Sequence, residues 1–136
     1  GVSSAASDVY KRQVWLGDTL GEMPYYFGLA DVALLGGSFE KLGGQNLIEA
    51  AACACPVIMG PHTFNFLEAA EGALQAGAAQ RVEGMDQAVE MAWQWVAEPA
   101  GLAQRAAASE LFANRHRGAA QRSVEALRAW LDRKAP

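Results

Sequence analysis

A chain of 136 residues, 51% of them apolar and 19% charged, has the length of one domain and enough apolar material for a single core. A formal charge of -4, with the basic residues thinly spread except near the C-terminus, excludes the electrostatic footprint of a nucleic-acid binder, so an anionic ligand has to be met locally. No apolar run approaches the roughly 20 residues of a membrane span, and Cys53 and Cys55, one residue apart, suit neither a disulfide nor a zinc site and read as buried thiols.

Residues 1–13 are rich in Ser and Ala and lack periodicity, which reads as a disordered leader or junction ahead of a domain at 14–136. From Val14 onward short apolar runs alternate with helical patterns. Residues 14–16, 32–35, 57–59 and 79–82 are expected as strands. Between them, helices are expected at 22–30 with Pro24 in the first turn, at 46–54, and at 66–76 ended by Gly77. Asp86 can cap a further helix on which Val89, Trp93 and Val96 recur at helical spacing. Pro99 breaks that pattern before an alanine-rich helix at 102–115, and Val124, Leu127, Trp130 and Leu131 form one stripe of a final helix. Trp93, Trp95 and Trp130 fit core or domain-contact positions, with Trp15 in or beside a strand. Arg115, His116, Arg117, Arg128, Arg133 and Lys134 suit helix ends and solvent. The alternation predicts an α/β fold, a Rossmann-like parallel sheet flanked by helices.

Open parallel sheets bind ligands beyond the C-terminal ends of their strands, so the turns after the apolar runs are the candidate sites. The first is Gly17-Asp18-Thr19-Leu20-Gly21-Glu22, where amides at a helix start can meet a phosphate or a base edge, or where Asp18 or Thr19 simply caps the helix. The second is Gly36-Gly37-Ser38 followed by Gly43-Gly44-Gln45-Asn46 and Glu49. Glycine pairs can turn amides toward an anion, and Glu49, three residues after Asn46, can reach a pair of ribose hydroxyls. The same spacing also fits a capping box, in which Glu49 returns a bond to the cap amide. The third is Gly60-Pro61-His62-Thr63-Phe64-Asn65-Phe66, a rigid turn that presents His62, Thr63 and Asn65, with Phe64 and Phe66 as core anchors. No catalytic Ser/His/Asp or Cys/His set accompanies His62, which is not assigned as a base. The sequence contains no Walker A loop and no G-x-G-x-x-G after a strand, and its pattern calls for no metal and no cofactor.

Taken together and in this order, Leu16 to Glu22, Gly36-Gly37-Ser38, Gly43-Gly44-Gln45-Asn46-Leu47-Ile48-Glu49 and Gly60 to Phe66 resemble the C-terminal domain of 3-deoxy-D-manno-octulosonic acid (Kdo) transferases. The resemblance runs from Val14 to the last helix and leaves out residues 1–13. It implies the C-terminal half of a GT-B glycosyltransferase, the half that holds the CMP of CMP-Kdo for transfer to lipid A precursor in lipopolysaccharide biosynthesis. By motif position, Gly21, Glu22 and Met23 correspond to one CMP-contacting turn, and Asn46, Leu47, Ile48 and Glu49 to another. Gly36, Gly37, Ser38, Gly43, Gly44 and His62 are further candidate donor contacts. Where many relatives have proline after the Asn and the Glu, this chain has Leu47 and Ala50, which alters the stiffness of the loop.

The same resemblance assigns the general base, the acceptor site and the membrane anchor to an N-terminal domain outside this sequence, and a further basic nucleotide-contacting motif upstream of Val14. No catalytic residue is therefore expected here, and the chain by itself is expected to be soluble and inactive. The whole enzyme is expected at the cytoplasmic face of the bacterial inner membrane. Two other readings fit the residues: a domain of a glycosyltransferase or epimerase that uses a UDP-sugar, and a non-catalytic interaction domain.

Overall fold

Two short apolar runs and the segment Ala79-Gln80-Arg81 make the sheet in a computed structural model that describes residues 14–136. Strands β1 (Ala33–Leu35), β2 (Val57–Met59) and β3 (Ala79–Arg81) lie parallel in the order β1-β2-β3, with Ala33 opposite Val57 and Val57 opposite Ala79. The central strand is covered on both faces, so its sequence is apolar at every position instead of alternating. Val57 and Met59 point into one core with Phe27, Leu47, Ala50, Ala70 and Ala73. Ile58 points into the other with Val82, Ala88 and Trp95.

Helices α1 (Met23–Leu29), α2 (Ile48–Ala52) and α3 (Leu67–Ala76) supply the first core, and α4 (Met85–Ala97) supplies the second. Ala70 and Ala73 are fully buried, and their small side chains let α3 approach the sheet closely. Gly77, at φ 77°, ends α3 in the left-handed conformation that glycine accepts without strain, as expected. Helix α5 (Pro99–Lys134) starts with its proline in the first turn, where no amide donor is missed. It packs across α2, α3 and α4, burying Ser109 and Ala113, and the Ser109 hydroxyl donates to Arg105 O at 2.8 Å.

Several expectations are corrected. Residues 14–16 add no strand to the sheet among the described residues; Val14, Trp15 and Leu16 are 73%, 58% and 54% exposed, and no described element covers them. Helix α1 is preceded by Glu22 with no side-chain cap, so neither Asp18 nor Thr19 takes that place. Helix α4 begins after Gly84; Asp86 lies in its first turn, where its charge complements the helix dipole. Helix α2 is shorter than expected, because residues 46 and 47 are still turning. The two helices expected after Pro99 are one continuous helix that runs through Gly118. Phe64 is 61% exposed and anchors nothing in the core, whereas Thr63 is buried. Trp95 is buried beneath the Arg105 guanidinium, while Trp93 stands 79% exposed. The reading of residues 1–13 lies outside the described residues. No described helix is long and apolar enough to cross a membrane.

Candidate functional site

The turns after β1 and β2 are built as one unit. Directly after β1, residues Gly36–Ser38 form a single 3-10 turn that buries Ser38 completely. The Ser38 hydroxyl donates to Leu35 O at 2.5 Å and accepts from the Gly60 N–H at 2.7 Å, while the His62 N–H donates to Ser38 O at 2.9 Å. Gly60 has to be glycine for this closeness, since a Cβ there would lie 2.6 Å from Ser38 O. The second glycine turn is tied to the same loop: the Asn65 N–H donates to Gly43 O at 3.1 Å, and Asn65 Nδ2 donates to Leu42 O at 3.4 Å. Gly43 sits at φ 90°, with the Asn65 and Phe64 side chains where its Cβ would be.

Arg81, the last residue of β3, closes the assembly. Its guanidinium donates to Gly60 O at 2.8 Å, to Thr63 Oγ1 at 3.1 Å and to Glu71 Oε1 at 3.3 Å. The planar fork spreads its donors over two terminal nitrogens, so it reaches separated acceptors that the single nitrogen of a lysine would span less readily. The loop at 60–66 thus acts as a buttress for the glycine turns at 36–44.

Beside this scaffold a cleft of 320 Å³ opens between α1, β1 and the start of α2, lined by Met23, Phe27, Leu34, Leu35, Gly36, Gln45, Asn46 and Glu49. That volume falls within the range of small-ligand sites. One wall is apolar, from Met23, Phe27, Leu34 and Leu35; the other is polar, from Gln45, Asn46 and Glu49. No lysine or arginine is among these lining residues, so donors to an anion must be amides. Asn46 Oδ1 accepts from the Ile48 N–H at 3.0 Å, which fixes the side chain at the entry to α2. The carboxylate of Glu49 has no hydrogen bond among the described residues; the return bond of a capping box is not made.

Of the residues expected from sequence, the cleft brings together Met23, Gly36, Asn46 and Glu49. Leu47 is buried and Ile48 packs against the same core, leaving their backbones as what they can offer a ligand. Gly21 and Glu22 lie just ahead of α1, and the Glu22 carboxylate accepts from the Tyr26 hydroxyl at 3.0 Å. Gly37 stands behind Gln45, and Ser38, Gly43, Gly44 and His62 belong to the buttressed turns outside the lining. Sequence reading gave no contact to Phe27, Leu34 or Leu35, and quoted Gln45 within the second motif without assigning it one. Phe27 was within reach, since it lies four residues after Met23 and hence on the same face of α1. Among the described residues no group of His, Cys, Asp or Glu is placed to hold a metal ion. Cys55 is fully buried, and desolvation, with smaller contributions from Cys53 and Asp31, pushes its thiol up to about 11, which keeps it protonated and unreactive.

No protein-family model matches the chain. It is 53% identical over 118 residues to the 3-deoxy-D-manno-octulosonic acid transferase of Bordetella pertussis, a stretch covering 87% of this chain and 28% of that protein. Over that stretch this chain is homologous to a Kdo transferase. The Kdo transferase of Haemophilus influenzae is 36% identical over 124 residues, again with 89% of this chain but only 29% of the relative covered. The chain therefore spans less than a third of the length of these Kdo transferases. Among solved structures it is similar to the C-terminal CMP-Kdo binding domain of WaaA from Acinetobacter baumannii, with a TM-score of 0.69 and 29% identity over 74% of this chain and 52% of that one. The Rossmann-like half of a GT-B glycosyltransferase expected from the motifs is thus the fold observed.

Proposed function

We propose that this chain is the donor-binding part of a Kdo transferase and that the cleft between α1, β1 and α2 receives the CMP end of CMP-Kdo. The observation that carries the reading is the convergence of Met23, Asn46 and Glu49, which lie in two separate motifs, on one 320 Å³ cleft at the C-terminal end of β1. The apolar wall of Met23, Phe27 and Leu34 suits the face of a pyrimidine. Glu49, with no competing partner among the described residues, accepts from the ribose hydroxyls, and Asn46 Nδ2 adds a donor beside it. The amides of the turn after β1 face the phosphate. Gly21 and Glu22 position α1, and through it Met23; Leu47 and Ile48 contribute backbone groups.

In the whole enzyme, an acceptor hydroxyl of lipid A precursor displaces CMP from the anomeric carbon of Kdo. These residues hold the leaving phosphate while it takes up charge. The acceptor site and the general base lie in the part of the protein beyond this chain, and that part attaches the enzyme to the cytoplasmic face of the bacterial inner membrane. A titration of the isotope-labelled chain with CMP, followed at the backbone amides of Gly36, Gln45, Asn46 and Glu49, tests the reading, with UMP as the control. Saturable shifts confined to these residues and stronger for CMP are expected. Equal shifts with UMP would assign the cleft to UDP-sugar chemistry, and no shifts with millimolar nucleotide would overturn the assignment.

A further inference from the structure

Gln45 lines the cleft, yet it belongs to neither of the CMP-contacting turns that the family resemblance marks out. Its Oε1 accepts from the Gly37 N–H at 3.4 Å, and a Cβ at Gly37 would come within 3.4 Å of its Cγ and 3.6 Å of its Cδ. That hydrogen bond joins the turn after β1 to the turn before α2 across the polar side of the cleft. At 3.4 Å it is at the long end of the hydrogen-bond range and is readily exchanged for a stronger one. Gly37 is half-buried and Gln45 is exposed, so the contact lies where an entering ligand can reach it.

The charge of the cleft makes this contact consequential. Its lining carries one carboxylate, Glu49, and no cation, so an anionic group entering it has to be kept from Glu49 and received by neutral donors. Asn46 is committed through Oδ1 to the Ile48 N–H, on the α2 side next to Glu49. Gln45 is committed only to Gly37, and its Nε2 has no hydrogen-bond partner among the described residues. A carboxamide offers an acceptor to a backbone amide and two donors to an oxyanion, which is what an amide-lined anion site requires.

We infer that Gln45 is a phosphate-contacting residue that sets the specificity of this cleft for a nucleotide over a nucleoside. The inference rests on the donor-binding reading above. The Gln45 Oε1 holds the Gly37 amide until the phosphate arrives; the phosphate oxygen then takes the Gly37 N–H, and Gln45 Nε2 donates to the same group. The cleft is thereby divided into a phosphate end at Gly37 and Gln45 and a ribose end at Asn46 and Glu49.

Binding of CMP and of cytidine to the chain and to its Gln45→Glu and Gln45→Ala variants, by calorimetry or chemical-shift titration, tests this. Gln45→Glu keeps an acceptor for the Gly37 amide, so the loop retains its tie, but it places a charge against the phosphate. It is expected to weaken CMP by about tenfold or more while leaving cytidine within about twofold. Gln45→Ala is expected to weaken CMP by a smaller factor, again without affecting cytidine. Equal weakening of both ligands in the two variants would mean that Gln45 merely shapes the loop and would overturn the inference, as would unchanged CMP binding. A wild-type chain that binds CMP no better than cytidine overturns the inference but leaves the donor reading standing; one that binds neither overturns both.

Discussion

At Ser38 a single buried hydroxyl joins two turns that lie 22 residues apart, donating to Leu35 O and accepting from the Gly60 N–H. Ser38→Ala removes the acceptor of Gly60 N–H in a place that water does not reach. A cost of about 1–3 kcal/mol follows, because a buried donor left unpaired forfeits its hydration without return. Urea denaturation should show a lower midpoint at an unchanged slope, and an unshifted midpoint would mean that the turns are held chiefly by Arg81. Gly-Gly-Ser was legible as a turn after a strand, but the partner of its serine was not, since nothing in local pattern couples residue 38 to residue 60. The same is true of Thr63 and Arg81, whose bond spans 18 residues. The sequence placed two phenylalanines beside Thr63 and invited the expectation that they anchor the loop, whereas a guanidinium satisfying the smaller Thr63 does so. For Asn46 and Glu49 the capping reading is not what forms: the cap residue of α2 is Leu47, Asn46 Oδ1 takes the Ile48 N–H in a local turn ahead of the helix, and Glu49 makes no bond back.

Among the elements, β1 and β2 were legible because a run of apolar residues too short for a helix and followed by glycine has few other ways to be buried, whereas β3, Ala79-Gln80-Arg81, follows from its place after a helix ended by Gly77. Residues 14–16 satisfy the same pattern and are exposed, which shows its limit: apolarity states that a segment can be covered, not that a neighbour is there to cover it. The length of α5 was illegible for a different reason. Gly118 and the Arg115-His116-Arg117 run resemble a helix end, but a single glycine costs only about 1 kcal/mol, which the alanine, glutamine, arginine and leucine residues on either side can absorb. The two ends of this helix are not equivalent. Ser109, Phe112 and Ala113 pack against the body, whereas every residue from Ala119 onward is exposed, including Val124, Leu127, Trp130 and Leu131. Native-state hydrogen exchange is expected to be slow for the amides around Ser109 and Ala113 and faster by orders of magnitude beyond Ala119, because only propensity and local pairs stabilise that end. Uniform protection along α5 in the isolated chain would mean that the exposed stripe is covered in solution.

For the whole molecule, the question is how much of a transfer reaction one cleft can perform. Rate acceleration requires contacts that strengthen in the transition state and an acceptor held within reach of the anomeric carbon; positioning alone accounts for about 7–11 kcal/mol of a barrier in well-oriented systems. The cleft described here offers amides for a leaving phosphate and a carboxylate, Glu49, that the donor reading commits to ribose. Among the residues lining it there is no histidine, no lysine and no second carboxylate to take the proton of an attacking hydroxyl. The chain spans 28% of its Bordetella pertussis relative, and the donor-binding proposal assigns the base and the acceptor surface to the remaining length. Incubated with CMP-Kdo and lipid A precursor, the chain alone is therefore expected to release CMP no faster than the donor hydrolyses unaided, measured by chromatographic separation of CMP from the donor. Release above that background, with Kdo appearing on the acceptor, would require a base within residues 1–136 and would undo the division between donor-holding and acceptor-activating parts. Release without transfer would point instead to water entering an open cleft, and Glu49→Gln would then separate a carboxylate that activates this water from one that only holds the ribose.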